Sequence, residues 1–456
     1  MNPSIFKAYD IRGLCPGEIE EDDAYRIGQA FVRLTKAKVI VVGRDMRKST
    51  PGIFAAFARG VTSQGSDVLD IGLVTTPMLY FAVGDYDLHD AGAMITASHN
   101  PAAYNGIKLC RGDASPIGGR TGMAELRDLA LAGPYPPAAG GEGTIVESDL
   151  LEDYFDRLEE AVAPRHVGRL KVVTDTGNGM EGAIIKKLFK RYPRVALETI
   201  CLEPDGGFPH HEANPLKTET LALLSKKVRS SRADVGFAFD GDGDRVGVVE
   251  ETGVPVRGDE LLALLAPEIL AGAPGAAVFY DVRCSWIVPE AIAQAGGRPM
   301  MGPVGHGLIK PIMRKEGAVF GGELSMHYYF KEFNFCESSD AVMLLVLGLL
   351  TRTGRKLSEL LAPLRRYAHS GEINFTVKDQ AEVLSRLEEA YGHEASAAIR
   401  IDGLRLEFTD TARPEGDWWF NVRLSNTEPL LRLNLEARSA AKMEEKKVEL
   451  TGIIEA

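Results

Sequence analysis

Residues 240–245 read Asp-Gly-Asp-Gly-Asp-Arg, three carboxylates at alternate positions, directly after the apolar run Val235-Gly-Phe-Ala-Phe239. The run reads as a buried strand and the aspartates as a metal loop at its end. Asp240, Asp242 and Asp244 offer hard oxygen ligands, and Gly241 and Gly243 let the backbone curl so that all three face one ion. Three oxygens leave part of an octahedral shell open for water and a phosphate oxygen, which suits Mg2+. A calcium hand would use the same residues with Glu251 at its twelfth position. Its sixth position needs glycine, however, and here holds Arg245, while the flanks 235–239 and 246–249 are strand-like rather than helical. A solvated acidic turn is the plainer alternative.

The second group that could do chemistry is the hydroxyl of Ser98, in Thr96-Ala-Ser-His-Asn-Pro101. It follows the apolar run 91–95 on a tight turn, with Pro101 stiffening the exit. A serine so held can be a nucleophile or a phosphate carrier, and the same residues would serve equally as a helix cap. A metal loop elsewhere in the chain favours the chemical reading, because an ion with an open position beside a fixed serine is what phosphoryl transfer requires.

These loops need strands to hold them. Three successive stretches repeat one plan of β-rich runs, amphipathic helices and a closing run that ends in a polar loop. The first has apolar runs at 39–42, 68–71 and 91–95 with a helix near 51–60, and ends at Ser98. The second starts at 170–173, has helices near 181–189 and 218–229, and ends in the aspartate loop. The third starts at 277–280, has helices near 288–294 and 306–314, and ends at 318–323. Strands alternating with helices imply mixed or parallel sheets, whose ligands collect at strand carboxyl ends. The C-terminal part differs, with strands expected at 373–377, 399–401, 404–408, 418–422 and 430–435, a helix at 381–391 and a charged terminal helix. The expectation is therefore three similar α/β domains with mixed sheets, 1–147, 148–254 and 255–367, plus a C-terminal α+β domain, 368–456. Linkers are expected at 133–143, 252–258 and 365–371.

Composition excludes several classes. The chain of 456 residues is 45% hydrophobic and 25% charged, an ordinary globular balance. A formal net charge of -12 without a basic run disfavours a nucleic-acid surface, so an anionic substrate must be gathered by local Arg, Lys and His. Five cysteines without a C-x-x-C pair argue against a disulfide framework or a structural zinc, and fit a reducing cytoplasm. Neither a signal peptide nor a membrane-spanning stretch is legible, and 344–350 reads as a core helix. Composition and pattern leave the oligomeric state open.

Four motifs in order, Thr96–Pro101, Asp240–Arg245, Gly322-Glu-Leu-Ser325 with His327, and Arg423-Leu-Ser-Asn-Thr-Glu-Pro429, together resemble the α-D-phosphohexomutases, nearest to phosphomannomutase/phosphoglucomutase. The resemblance spans almost the whole chain, including Lys7-Ala-Tyr-Asp-Ile-Arg-Gly13. It implies four domains around a central cleft and a serine phosphorylated in the active enzyme. By motif, Ser98 is that phosphoserine, and Asp240, Asp242 and Asp244 bind Mg2+ with a phosphoserine oxygen. His99 and Lys108 sit beside the transfer site, Arg12 and Arg245 hold reacting oxygens, and Tyr9 lines the same wall. Arg12, Lys108 and His327 are candidates for general acid and base.

Glu323 and Ser325 resemble the pair that binds two sugar hydroxyls, since side chains two residues apart on an extended loop project to one side. An exposed loop with a capping serine is the alternative. Arg423, Ser425, Asn426 and Thr427 resemble a distal phosphate site, where a bidentate Arg and clustered donors make a cradle. The same residues read as a hairpin loop, and both readings can hold. Arg283 and His306 resemble further substrate contacts. Related enzymes commonly carry Lys at the place of Arg283 and Gly at that of Met326, departures that bear on sugar preference.

The resemblance thus implies interconversion of the 6- and 1-phosphates of mannose, glucose or both, with small phosphosugars as partners and hexose 1,6-bisphosphate as intermediate and activator. Phosphoglucosamine mutases usually have Gln at the place of Leu324, which points to neutral hexoses. A metal-dependent phosphatase and a non-catalytic sugar-phosphate sensor are rival functions. A sensor would need neither Ser98 nor the three aspartates.

Overall fold

The computed structural model describes residues 1–162, 167–424 and 430–456. The chain forms two compact units. The first comprises Met1–Gly258, His306–Gly321 and Ser325–Leu360, and the second Asp259–Gly305, Gly322–Leu324 and Leu361–Ala456.

Two mixed sheets lie in the first unit. One is built from β1 (Ile11–Leu14), β2 (Val39–Arg44), β3 (Asp67–Leu73), β4 (Ala91–Ile95), β5 (Tyr104–Arg111) and β6 (Ile145–Glu147), in the order β1-β5-β4-β2-β3-β6. The pairs of β2 with β3 and β4 are parallel, whereas β5 runs antiparallel to both β1 and β4. Every residue of β4 is buried, so the chain leaves the sheet interior at Ile95 directly into the Ser98 turn. The register Met94↔Lys108 sets Lys108 on the neighbouring strand beside that exit.

The other sheet holds β7 (Lys171–Asp175), β8 (Ala196–Ile200), β9 (Val235–Phe239), β10 (Val246–Glu250) and β11 (Pro255–Val256), ordered β11-β10-β9-β7-β8. Strands β9 and β10 form an antiparallel pair with Phe239 opposite Val246, which makes 240–245 the loop of a hairpin with fully buried arms. Strand flanks, not helices, therefore carry the aspartates. That is the feature that separated a metal loop of this kind from a calcium hand in the sequence.

The third α/β stretch contributes to both units. In the second unit β12 (Ala277–Asp281) and β13 (Arg298–Gly302) pair in parallel. After the short β14 (Phe320–Gly322), β15 (Tyr328–Phe330) and β16 (Cys336–Glu337) pair antiparallel in the first. The helix Ser339–Thr353 buries Val342 to Leu344, Val346, Leu347, Leu349 and Leu350, as the core reading of 344–350 expected. Ser338 caps it by accepting from Ala341 N–H, and Gly354, at φ 63°, ends it in the left-handed region.

The rest of the second unit is the antiparallel sheet β17 (Ala368–Phe375), β18 (Ala397–Ile399), β19 (Leu404–Phe408), β20 (Trp418–Leu424) and β21 (Leu431–Ala437), ordered β17-β21-β20-β19-β18. The helices Gln380–Tyr391 and Ala440–Glu455 add Leu387, Leu450 and Ile454 to a core of Leu406, Phe420 and Leu433. Two expectations need correction. The linker expected at 365–371 is already strand from Ala368, with its glycine at an irregularity in register between His369 and Glu372. The strand expected at 399–401 lies at Ala397–Ile399. Among the described residues no helix is long and apolar enough to cross a membrane.

Candidate active site

In the first unit the Ser98 turn and the aspartate loop meet. Ser98 sits at φ 51°, in the left-handed region, with its N–H bonded to Thr96 Oγ1 at 2.9 Å. Its Oγ donates to Asp240 Oδ2 at 2.8 Å and lies 3.1 Å from His99 Nδ1. Gly241 makes this approach possible, since a Cβ there would fall 2.4 Å from the Ser98 carbonyl oxygen. Gly243, at φ 71°, supplies the curl. The three aspartates each offer an oxygen within 4.8 Å of the others.

Cations surround this acid. Lys108 Nζ donates to Asp242 Oδ2 at 2.6 Å and to Asp244 Oδ2 at 2.5 Å. Burial opposes its ammonium, but the carboxylates of Asp242, Asp244 and Asp240 outweigh burial, and its pKa is raised. Burial likewise pushes Asp244 up, yet Lys108 and His327 hold it well below the usual carboxylate range. Asp240 goes the other way, raised by burial and by the charges of Asp244 and Asp242. Arg245 Nε donates to His327 Nε2 at 3.0 Å, and His327 Nδ1 is 3.4 Å from Ser325 Oγ. Arg12 donates from Nη1 to Asn100 Oδ1 at 2.7 Å and from Nη2 to Asp10. His99 and His306 are both held well below the ordinary imidazole value, by burial first. Arg245 and Arg12 add to this at His99, and Lys310 and Lys108 at His306. Tyr9 packs on His306 with ring centroids 5.5 Å apart.

The carboxylate set fits a hard divalent cation. Asp242 Oδ1 is buried without a hydrogen-bond partner among the described residues, and Asp244 Oδ1 has His327 Nε2 only at 3.5 Å. Buried carboxylate oxygens are costly to leave unpaired, and a coordinated ion satisfies them.

The second unit holds the other expected contacts. Arg283 is clamped by Asp281, with Nε on Oδ1 at 3.0 Å and Nη2 on Oδ2 at 2.9 Å, and reaches Glu372 Oε2 from Nη1 at 3.3 Å. Glu323, 1% exposed, accepts from Gly305 N–H at 2.7 Å and lies 4.0 Å from Arg283. Arg423 is 2% exposed and donates to Leu424 O at 3.2 Å. Burial and the charge of Arg283 lower its pKa. Glu372 also pairs with Arg432 at 3.2 Å, and although burial pushes it up, Arg283 and Arg432 bring it below its ordinary value. Ser425, Asn426 and Thr427 lie outside the described residues. Glu323 and Ser325 fall in different compact units.

Several residues of this site were not singled out in the sequence. Thr76 donates from Oγ1 to Asp242 Oδ2 at 2.6 Å and from its N–H to the Asp242 carbonyl at 2.8 Å. Arg47, fully buried, donates to the carbonyls of Ser98 (2.8 Å), Asn100 (2.6 Å), Pro101 (2.8 Å) and Tyr104 (3.0 Å), while Asp45 holds its Nε. The only sequence cue to it was a charged pair, Asp45 and Arg47, just past the β2 run, and that pattern is common on surfaces.

Comparison with known proteins decides the family. Sequence models described as phosphoglucomutase/phosphomannomutase alpha/beta/alpha domains I, II and III match residues 3–130, 152–253 and 257–367, and that of the C-terminal domain matches 372–453. The chain belongs to the phosphoglucomutase/phosphomannomutase family. Among relatives, a phosphomannomutase of Salmonella montevideo is 40% identical over 443 residues, covering 96% of this chain and 95% of that one. A protein named for phosphohexose mutases, from Xanthomonas campestris pv. campestris strain B100, is 40% identical over 458 residues and covers 100% of both. The crystal structure of a phosphoglucomutase/phosphomannomutase family protein from Burkholderia thailandensis superposes with a TM-score of 0.90 at 32% identity, covering 99% of this chain and 97% of that one. Membership makes the chain a mutase, and its fold is that of the family.

Proposed function

We propose that the chain interconverts the 6-phosphate and 1-phosphate of mannose, glucose or both through a phosphoserine at Ser98. The observation that carries this reading is the Ser98 hydroxyl, 2.8 Å from Asp240 in a nest of three aspartates, with Lys108, Arg12 and Arg245 close by. A charge-balanced pocket of this kind serves a group whose own charge shifts during reaction.

In the forward half-reaction a sugar hydroxyl attacks the phosphorus on Ser98. The new O–P bond forms as the Ser98 O–P bond breaks, and the hydroxyl proton passes to a base. The product is a hexose 1,6-bisphosphate. After the sugar turns over, Ser98 Oγ attacks the other phosphoryl group and a proton returns to the released sugar oxygen. Arg12, Lys108 and His327 are the candidates for these proton transfers. Lys108 is tied to two carboxylates as a charged ammonium, so it fits electrostatic support better than base. His99 and His306, held neutral, can accept hydrogen bonds from sugar or phosphate protons.

Asp240, Asp242 and Asp244, with a phosphoserine oxygen, would hold Mg2+. When bound, the ion would neutralise charge on the transferring phosphoryl group. Tyr9, Arg283, His306, Glu323 and Ser325 are assigned to the sugar and its approach. Arg423 with Ser425, Asn426 and Thr427 is assigned to the phosphate that is not reacting. The four-domain division 1–147, 148–254, 255–367 and 368–456 accompanies this reading, as do small phosphosugars as partners, hexose 1,6-bisphosphate as activator and a cytoplasmic location. Relatives named for phosphomannomutase support mannose phosphate as a substrate.

The test is a mutase assay on mannose, glucose and glucosamine 1-phosphates with hexose 1,6-bisphosphate as activator, joined to intact-mass analysis. Turnover of mannose or glucose 1-phosphate, with one phosphate mapping to Ser98, is expected. Preference for glucosamine 1-phosphate, or turnover without phosphate on Ser98, would overturn the reading.

A further inference from the structure

We propose that Asp175, Cys201 and His211 form a second cation site, one for a zinc-like divalent ion held by mixed oxygen, sulfur and nitrogen ligands. Strands β7 and β8 are parallel neighbours with Asp175 paired to Ile200, so their carboxyl ends set Asp175 beside Cys201. The loop that follows returns His211 to the same place.

The donor atoms converge. His211 Nε2 lies 3.0 Å from Asp175 Oδ2 and 3.8 Å from Cys201 Sγ, and the three ligand atoms are all within 4.8 Å of one another. On the far side of the ring, His211 Nδ1 lies 2.8 Å from the Glu212 carbonyl, a contact that places a proton on Nδ1. That leaves Nε2 facing both a carboxylate and a sulfur, and one proton there can bridge to only one of them. A cation at the centre takes lone pairs from all three.

The spacing suits tetrahedral zinc. Bonds of about 2.0 Å to nitrogen and oxygen and about 2.3 Å to sulfur give ligand-to-ligand edges of roughly 3.3 Å and 3.6 Å. A thiolate and an imidazole select zinc over Mg2+. The surroundings hold the ligands as metal sites do. The Nδ1 contact to a carbonyl fixes the ring, Asp175 Oδ1 accepts from Gly177 N–H at 3.0 Å, and the Cys201 carbonyl is bonded by Thr176 Oγ1 and Asn178 N–H, each at 2.8 Å. Asp175 is 1% exposed, while Cys201 and His211 are half-buried. His211 also lines a cavity of about 250 Å³ with His210, Glu212 and Asn100, which gives a fourth ligand such as water room to enter. The ligand set is distinct from Asp240, Asp242 and Asp244. Without an ion the same atoms make an ion pair, in which the bond to Asp175 pushes His211 up to about 10.

The test uses cobalt(II) alone as a spectroscopic stand-in, under reducing, oxygen-free conditions. Wild type and an Asp242→Asn variant, which disables the aspartate loop, are titrated side by side. Both should develop the intense visible bands of four-coordinate cobalt and a sulfur-to-cobalt charge-transfer band, saturating at one equivalent in Asp242→Asn and by two equivalents in wild type, and bleached by zinc. Cys201→Ser should lose the charge-transfer band, and His211→Gln should bind at least tenfold more weakly. Circular dichroism identical to wild type shows that both variants fold. Absence of the charge-transfer band in wild type, or its persistence in Cys201→Ser, overturns the site and leaves a structural ion pair.

Discussion

Around Ser98 three buried carboxylates share one ion-sized space, balanced by Lys108, Arg12 and Arg245. Around Glu372, in the second unit, the emphasis is reversed, with Arg283, Arg432 and Arg423 all acting on one carboxylate. Both regions keep an unsatisfied atom. In the first the acceptor Asp242 Oδ1 and the donor Arg12 Nε, and in the second the donor Arg423 Nε, are each without a partner among the described residues. A buried group of either kind costs free energy until a ligand of opposite character arrives. On the function proposed above, the acidic region would take a cation and chemistry at a hydroxyl, and the region around Arg423 would hold the phosphate that is not reacting.

Substitutions on the two sides should therefore fail differently. On the proposed mechanism Ser98→Ala removes the covalent carrier and one small hydroxyl, so turnover should fall by several orders of magnitude while the unfolding midpoint stays near wild type. Substantial residual turnover would break the contrast at its root. Asp242→Asn should lower turnover by more than about a hundredfold, because loss of a mere supporting residue at a metal site already costs about 10- to 100-fold. Chelation should silence the wild type and Mg2+ should restore it. A chelated enzyme at full rate would make the acidic loop purely structural.

On the basic side the effect should appear in binding. Arg423→Ala should raise KM for 1-phosphate and 6-phosphate substrates alike by about ten- to a hundredfold, the ~1.5–3 kcal/mol of lost charge-assisted contacts. More bisphosphate should also leak into the medium, and a change in kcat alone would count against the anion-holding role. The finest comparison is between two glycines. A methyl at Gly241 would meet the Ser98 carbonyl at 2.4 Å, and one at Gly403 would meet that of Val422 at 2.2 Å and Arg423 Cβ at 2.6 Å. Each alanine variant should cost about 1–3 kcal/mol in denaturant melts. Gly241→Ala should depress kcat and Gly403→Ala should raise KM. The same kinetic signature from both would erase the distinction between the regions.

The aspartate loop was legible because its chemistry is local, with three ligands, two glycines and a strand on each side within sixteen residues. Strand β5 was not. Asn105, Gly106 and Lys108 interrupt its apolar pattern, and it is buried because β1 and β4 flank it rather than because its own residues alternate. Arg47 and Thr76 were invisible for a related reason. Each acts on a loop far along the chain, Arg47 on residues 98–104 and Thr76 on Asp242, and nothing in the intervening sequence marks the pairing. Division into units that do not follow the chain is beyond periodicity altogether, since residues 259–305 cluster in one compact unit with the C-terminal sheet.

Arg47 also bears on how this loop can change. Its guanidinium holds main-chain carbonyls, not side chains, so the path from Ser98 to Tyr104 is specified by a residue that is not part of it. Side chains along the path are correspondingly released from the task of shaping it and are open to variation for other ends. Tolerance to mutation should be unevenly spread, broad at Ala102 and Ala103 and nearly nil at a single position some fifty residues upstream, where lysine could not reproduce the fork.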